Sequence, residues 1–104
     1  MPNDLNRFFS ALSSSTRRSV IEHLARGPAS VKELHAAHDM ALPTFMRHLK
    51  VLEDSGLIRS MKKGRVRTCQ IDPQSLIAAQ GWLEWQREVL DKTAEAEGQF
   101  KFSL

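Results

Sequence analysis

The chain has 104 residues, of which 41% are hydrophobic and 26% charged, and its formal net charge is +3. This length suits one domain over residues 1–104 with a modest core, and it leaves little room for an enclosed active site, so we do not expect an enzyme. No apolar run approaches the length of a membrane span, about 18 residues, and the N-terminus lacks the pattern of a secretory signal. The lone Cys69 excludes an internal disulfide. Together these features predict a cytoplasmic protein.

The first part of the chain predicts three helices. Apolar residues at helical spacing indicate a first helix over about 4–12. Ser14 is a suitable N-cap for a second helix, which the pair at 27–28, glycine then proline, would end. Ser30 begins a short third helix, because Glu33 follows three residues later in the pattern of a capping box.

A fourth helix is predicted over about 43–55. Pro43 suits its first turn, and Gly56 supplies a left-handed stop. Its buried stripe comprises Phe45, Leu49 and Leu52. Its opposite side comprises Pro43, Thr44, Arg47, His48 and Val51, with Lys50 at the edge.

A short capped helix, a tight connection and this helix are typical of a helix-turn-helix unit. An arginine such as Arg47 can bond guanine O6 and N7, Thr44 can offer its methyl group to thymine, and His48 can donate to a base or a phosphate. The same pattern also fits an ordinary amphipathic surface helix.

The periodicity then changes to that of strands. Two short strands, within a predicted wing over about 57–71, flank a turn at 62–65. Residues 42–71 hold seven basic and two acidic side chains, whereas residues 72–104 hold three basic and six acidic ones. A basic helix followed by a basic hairpin favours DNA as the partner, since such a hairpin can lie along the phosphate backbone. A solvated basic face is the alternative.

A long last helix is predicted over about 73–95, opened by Asp72 as N-cap. Its apolar arc covers nearly half its circumference, which is more than one packing surface needs. We therefore expect a homodimer with twofold symmetry, although the helix would fit wholly on its own domain as an alternative. The predicted dimer contacts are Phe8, Phe9, Leu76, Trp82, Leu83, Trp85, Val89 and Leu90.

The predicted fold is mostly α with a β-hairpin, a winged helix-turn-helix of order α-α-α-α-β-β-α. Four stretches carry a family resemblance: Leu12 with Thr16-Arg17-Arg18, the recognition-helix run from Met46 to Leu52, Ser55-Gly56-Leu57-Ile58, and Gly64-Arg65. With these motifs the chain resembles the ArsR-type (ArsR/SmtB) winged-helix repressors over nearly its whole length. The resemblance implies a dimeric regulator that binds operator DNA and usually represses.

The chain departs from that family in two ways. Met46 stands where a serine is common, which would replace a polar groove contact by an apolar one. Ser30 and Lys32 stand where metal-sensing members carry a Cys-x-Cys pair, and residues 73–104 contain no histidine for a second kind of metal site. We therefore expect the non-metal-sensing subgroup, with no metal and no cofactor.

The predicted DNA contacts are Pro43, Thr44, Arg47, His48, Lys50, Lys62, Lys63, Arg65 and Arg67. Two other functions stay open: a winged helix can serve as a protein-interaction module, and the chain can be a metal- or redox-responsive DNA-binding sensor. The sensor would use His35 with His38, or Cys69, although ordinary surface histidines and an inert packed cysteine are the favoured interpretation.

Overall fold

The computed structural model describes residues 2–97, with side chains described for residues 5–96. Over this range the order of elements is α1 (Pro2–Ala11), α2 (Ser15–Leu24), β1 (Ala29–Ser30), α3 (Val31–Ala36), α4 (Leu42–Asp54), β2 (Ile58–Lys63), β3 (Val66–Ile71) and α5 (Pro73–Glu97). The predicted winged helix-turn-helix class is confirmed. α1 begins about two residues earlier than predicted, α2 ends at Leu24 before the predicted stop at 27–28, and the short β1 was not predicted.

Local hydrogen bonds explain where the helices begin. The Ser14 hydroxyl accepts the Arg17 backbone N–H at the start of α2. At α3 the capping box is complete: Ser30 Oγ accepts the Glu33 N–H at 3.1 Å, and the Glu33 carboxylate accepts the Ser30 N–H at 3.4 Å. Asp72 Oδ1 likewise accepts the Gln74 N–H at the start of α5. These polar residues satisfy backbone donors that a helix leaves free in its first turn.

Two glycines allow the tight changes of direction around α4 and the hairpin. Gly56 has φ +80° directly after α4, and Gly64 has φ +63° between β2 and β3. Side chains with a Cβ rarely adopt these values, which is why glycine occupies both positions. The hairpin turn is consequently two residues long, Gly64 and Arg65, shorter than the four-residue turn predicted at 62–65.

The three strands form one antiparallel sheet in the order β1-β3-β2. In the hairpin Ser60 lies opposite Cys69, and on the other edge of β3 Ala29 pairs with that same cysteine. A strand of two residues shows no alternation of polar and apolar side chains, so periodicity could not reveal β1. Its effect is to attach the N-terminus of α3 to the wing.

The core lies between the helices and the inner face of the sheet. Its largest fully buried side chains are Phe45, Leu34, Leu49, Leu52, Leu57, Ile58, Val20 and Cys69. The predicted α4 stripe is therefore confirmed as buried. Phe8 also belongs to this core, with 6% of its surface exposed, which leaves little of it for the dimer contact predicted from the sequence.

Helix α5 projects beyond this core. The Cα radius of gyration is 17.5 Å, whereas a compact chain of about 100 residues has about 13 Å. Ala79 is buried near the start of the helix, and its larger apolar side chains stay exposed. None of the helices within the described range has the length and apolar character to span a bilayer.

Candidate nucleic-acid interface

The outer face of α4 presents the groove-directed residues that the sequence predicts. Pro43 lies in the first turn, and Thr44, Arg47 and Lys50 are exposed beside it. Within the described residues Arg47 makes no hydrogen bond or ion pair, so its guanidinium donors are available to a ligand. The packing of the opposite stripe into the core holds this face rigidly, as a recognition helix requires.

Met46 does not join this face. It is partly buried and packs against the hydrophobic core. This packing leaves only part of the Met46 side chain for the apolar groove contact that the resemblance implies, which stays a prediction.

His48 lies at the edge of the outer face rather than on it. Its ring is half-buried against α2, where Arg17 Nη1 lies 3.1 Å from His48 Nδ1. Burial, and next to it the positive charge of Arg17 and of His38, lowers the pKa of the His48 imidazole below its ordinary value. The ring therefore favours its neutral form, in which it can donate one hydrogen bond and accept another.

The four predicted DNA contacts of the wing do not share one surface. Side chains alternate between the faces of a strand, and the register pairs Lys62 with Arg67 on the face of buried Cys69. Lys63, paired with Val66, points to the opposite face, and Arg65 lies in the turn. Lys62, Lys63 and Arg65 are exposed at the tip, whereas Arg67 is set back along β3.

Arg67 is engaged inside the domain. Its Nε donates to Ser60 Oγ at 2.9 Å, and its Nη2 lies 3.4 Å from Glu53 Oε1. Ser60 Oγ in turn donates to the same carboxylate oxygen at 2.6 Å. These bonds connect the wing to α4. Because they use the donors of Arg67, a direct contact of Arg67 with phosphate is the least supported of the predicted DNA contacts.

Lys50 also has a partner, although an exposed one. Its ammonium lies 3.5 Å from the Asp54 carboxylate one turn further along α4, with side-chain exposures of 75% and 63%. An exposed pair of this kind contributes little, so a phosphate group can replace Asp54 as the partner.

The alternative sensing residues make structural contacts, although His38 Nε2 is buried without a hydrogen-bond partner among the described residues. His35 Nε2 bonds the Met40 carbonyl at 2.7 Å and His38 Nδ1 bonds the Leu34 carbonyl at 2.9 Å, with both rings against Phe45. No three His, Cys, Asp or Glu side chains of the described residues converge on a metal position. Cys69 is fully buried, and burial, followed by the charge of Glu53, raises the pKa of its thiol. A buried thiol of raised pKa reacts poorly, as expected for a packing residue.

The predicted dimer residues on α5 form an exposed apolar face. Phe9 of α1 lies beside it, with its ring centroid 5.9 Å from that of Trp82. The exposed fractions are Phe9 39%, Leu76 40%, Trp82 45%, Leu83 52%, Trp85 62%, Val89 46% and Leu90 54%. Ile77, at 59%, is a further exposed apolar residue that the sequence interpretation omitted. An apolar surface of this extent is unusual on a monomer.

Sequence reasoning also missed the roles of Arg17 and Glu53. Both form side-chain contacts between different elements, Arg17 with α4 and Glu53 with the wing. The resemblance had already singled out Arg17 as part of a motif, but no periodicity shows which side chain it meets.

Comparisons with known proteins agree with this geometry. Residues 12–60 match a family model described as a helix-turn-helix domain. The HTH-type transcriptional regulator Rv2034 of Mycobacterium tuberculosis is 37% identical over 84 residues, which cover 79% of this chain and 78% of the relative.

Solved structures give the same result. The crystal structure of the ArsR family transcriptional regulator RHA00566 has 50% sequence identity and a TM-score of 0.84, and the match covers 88% of this chain and 94% of that one. A homodimeric winged helix-turn-helix DNA-binding domain from Mycobacterium bovis has a TM-score of 0.66 at 19% identity, over 97% of this chain and 89% of that one. The second likeness concerns the fold alone.

Proposed function

Because the chain belongs to the ArsR-type winged helix-turn-helix transcriptional regulators, we propose that it is a homodimeric repressor of a palindromic operator. Its membership makes it a DNA-binding regulator and not an enzyme. We place its action in the cytoplasm, because a transcriptional regulator acts where the DNA is.

The observation that carries the proposal is the exposed outer face of α4, held by a fully buried stripe. Thr44 and Arg47, which has no partner among residues 5–96, would read base edges in the major groove, where arginine recognises guanine and a methyl group contacts thymine. Pro43 would approach the backbone at the N-terminal end of the helix, and His48 would donate from its edge.

Phosphate contacts would surround this outer face of α4. The exposed cations at the tip of the wing, Lys62, Lys63 and Arg65, would neutralise the DNA backbone together with Lys50 of α4. Arg67 would contribute indirectly, by holding the wing against Glu53.

The exposed apolar face of α5 supports the dimer. A second copy would bury this face, as an apolar helix surface requires, and the Mycobacterium bovis domain of the same fold is itself homodimeric. Twofold symmetry would place the two α4 helices about 34–36 Å apart, on successive turns of one DNA face, which implies a palindromic site. A dimer seated on promoter DNA would repress by excluding polymerase.

Selection of bound duplexes from a random library tests the proposal. We expect enrichment of a palindrome, and a single operator should bind in 150 mM salt with much higher affinity than a scrambled duplex. Arg47→Ala should lower operator affinity about 5- to 150-fold for each half-site, the value of one bidentate base contact. Lys92→Ala on α5 is the control of equal charge change and should bind as the wild type does. A protein that enriches no sequence, or that binds both duplexes equally, would refute the proposal.

A further inference from the structure

The Arg17 side chain joins the end of α1 to the edge of the recognition helix. Its Nε donates to the Ala11 carbonyl at 2.6 Å and its Nη2 to the Ser10 carbonyl at 3.2 Å. Its Nη1 lies 3.1 Å from His48 Nδ1. Three fixed donors on one planar group therefore determine where the guanidinium lies, and with it where the imidazole lies.

This contact decides which nitrogen of His48 carries the proton. A guanidinium has five N–H donors and no acceptor, so His48 Nδ1 must accept. In the neutral ring the proton then lies on Nε2, which makes no hydrogen bond with any other described residue. The edge of α4 consequently carries one N–H donor of defined identity.

We propose that Arg17 is a positioning residue for DNA recognition, which holds His48 as a neutral Nε2–H donor to an acceptor atom of the operator. The inference rests on the proposed function and adds a residue of α2 to it. Arg17 itself need not touch DNA, because its donors are directed to α1 and to His48.

The surroundings of His48 support this assignment. Two charged or titratable groups from other elements act on the ring: Arg17 of α2 and His38, which follows α3. The positive charge of each disfavours protonation of His48. Protonation of Nδ1 would also place an N–H against the guanidinium and break the 3.1 Å contact. The neutral, singly donating ring is thus the form that the packing selects.

The tautomer can be measured in the free wild-type protein. Nitrogen-15 NMR of the imidazole rings distinguishes a protonated nitrogen from an acceptor nitrogen. We expect His48 at pH 7 to show a proton on Nε2 and none on Nδ1, and its titration midpoint to rise in Arg17→Gln. His48 with its proton on Nδ1, or doubly protonated at pH 7, would overturn the inference. This measurement stands even if the variant is unstable.

DNA binding gives the functional test. Arg17→Gln should lose about threefold to tenfold in operator affinity for each half-site beyond the matched control Arg18→Gln, which is the range for one hydrogen bond. Arg18 has the same charge and donates to the Leu12 carbonyl, without contact to His48. In a His48→Ala background the extra loss should vanish, because the effect acts through the ring.

Comparison of the operator with a scrambled duplex identifies which kind of DNA atom accepts the hydrogen bond from His48. A loss confined to the operator indicates a base edge, and an equal loss on a scrambled duplex indicates a phosphate oxygen; each supports the proposal. If the wild type prefers the operator but Arg17→Gln and Arg18→Gln bind alike, the inference fails while the proposed function stands. A wild type without operator preference overturns both.

Discussion

Single side chains on the candidate interface differ in how much of their charge is available to DNA. Arg47 has no partner among the described residues, Lys50 has an exposed one, and Arg67 donates to both Ser60 and Glu53. Residue type alone would rank these three cations equally. Their surroundings separate one base-reading candidate, one phosphate-binding candidate and one side chain that holds the wing.

Substitution of the wing cations should separate phosphate contact from support of the fold. Lys63→Gln should weaken binding to all sequences alike and lower the salt dependence of log K by about one per protomer. Arg67→Gln should instead lower the free energy of unfolding by about 1 kcal/mol, because a partly exposed charged hydrogen bond is lost. Binding as a function of salt, with denaturant unfolding, measures both. A larger salt effect for Arg67→Gln than for Lys63→Gln would contradict this division.

The lowered pKa of His48 makes stability depend on pH. The folded protein favours the neutral form of the His48 ring. The contribution of this ring to folding stability is therefore complete above the unfolded pKa of about 6.5 and is lost as the pH falls through the lower folded pKa. The free energy of unfolding should therefore decrease below pH 6.5, and less steeply in His48→Gln. Parallel curves for His48→Gln and wild type would show that burial leaves this ring's proton affinity unchanged.

At the scale of elements, short polar contacts determine where helices start and how the wing is attached. The capping box of α3 places Ser30 at a junction, because the same residue ends β1 and pairs with Thr68 of β3. The Glu53, Ser60 and Arg67 contacts join α4 to both strands of the hairpin. The reading helix and the wing are therefore one connected unit.

Loss of the α3 cap should be visible in stability. Ser30→Ala removes the acceptor for the Glu33 N–H and should cost about 1 kcal/mol, or a decrease in Tm of about 4–8 °C for a domain of this size. Ser19→Ala, an exposed serine within α2, is the control and should lose nothing, since alanine favours helix more than serine. Melting must be compared at equal protein concentration, because association stabilises the fold. Equal Tm values for both variants would argue against the cap.

At the scale of the whole molecule the main feature is α5, whose larger apolar side chains are left exposed by its own domain. Helix α5 starts on the core at Ala79 and then exposes one apolar side chain after another, from Trp82 to Leu90. A chain with this surface stays in solution most readily when a second copy covers it. Dimer formation would also set the distance between the two α4 helices, and hence the spacing of the two operator halves.

A charge on the α5 face should break the proposed dimer and weaken DNA binding together. Leu83→Glu places a carboxylate on the apolar face and should give a monomer in light scattering. Operator affinity should fall on the order of a hundredfold, because the two half-sites are no longer bound by one particle. Gln80→Glu adds the same charge on the polar side, beside Glu84, and should remain dimeric. A dimeric Leu83→Glu that binds the operator normally would exclude α5 from the interface.

Local chemistry determined much of this protein without its tertiary structure. The serine caps, the Pro43 start, the Gly56 stop and the buried stripe of α4 depend on residues close in sequence, and the structure confirms them. Fold class followed from these elements and the hairpin. Patterns of this kind are readable because a helix or strand repeats its geometry along the chain.

The tertiary structure decided what periodicity cannot reach. It paired the two residues of β1 with β3, buried Phe8, moved His48 to the edge of α4, and directed Arg67 to Glu53 instead of outward. Each of these outcomes depends on a partner from another element, whose position is defined only after the chain has packed. A side chain's type shows what it can bond, and the packed neighbours decide which bond it makes.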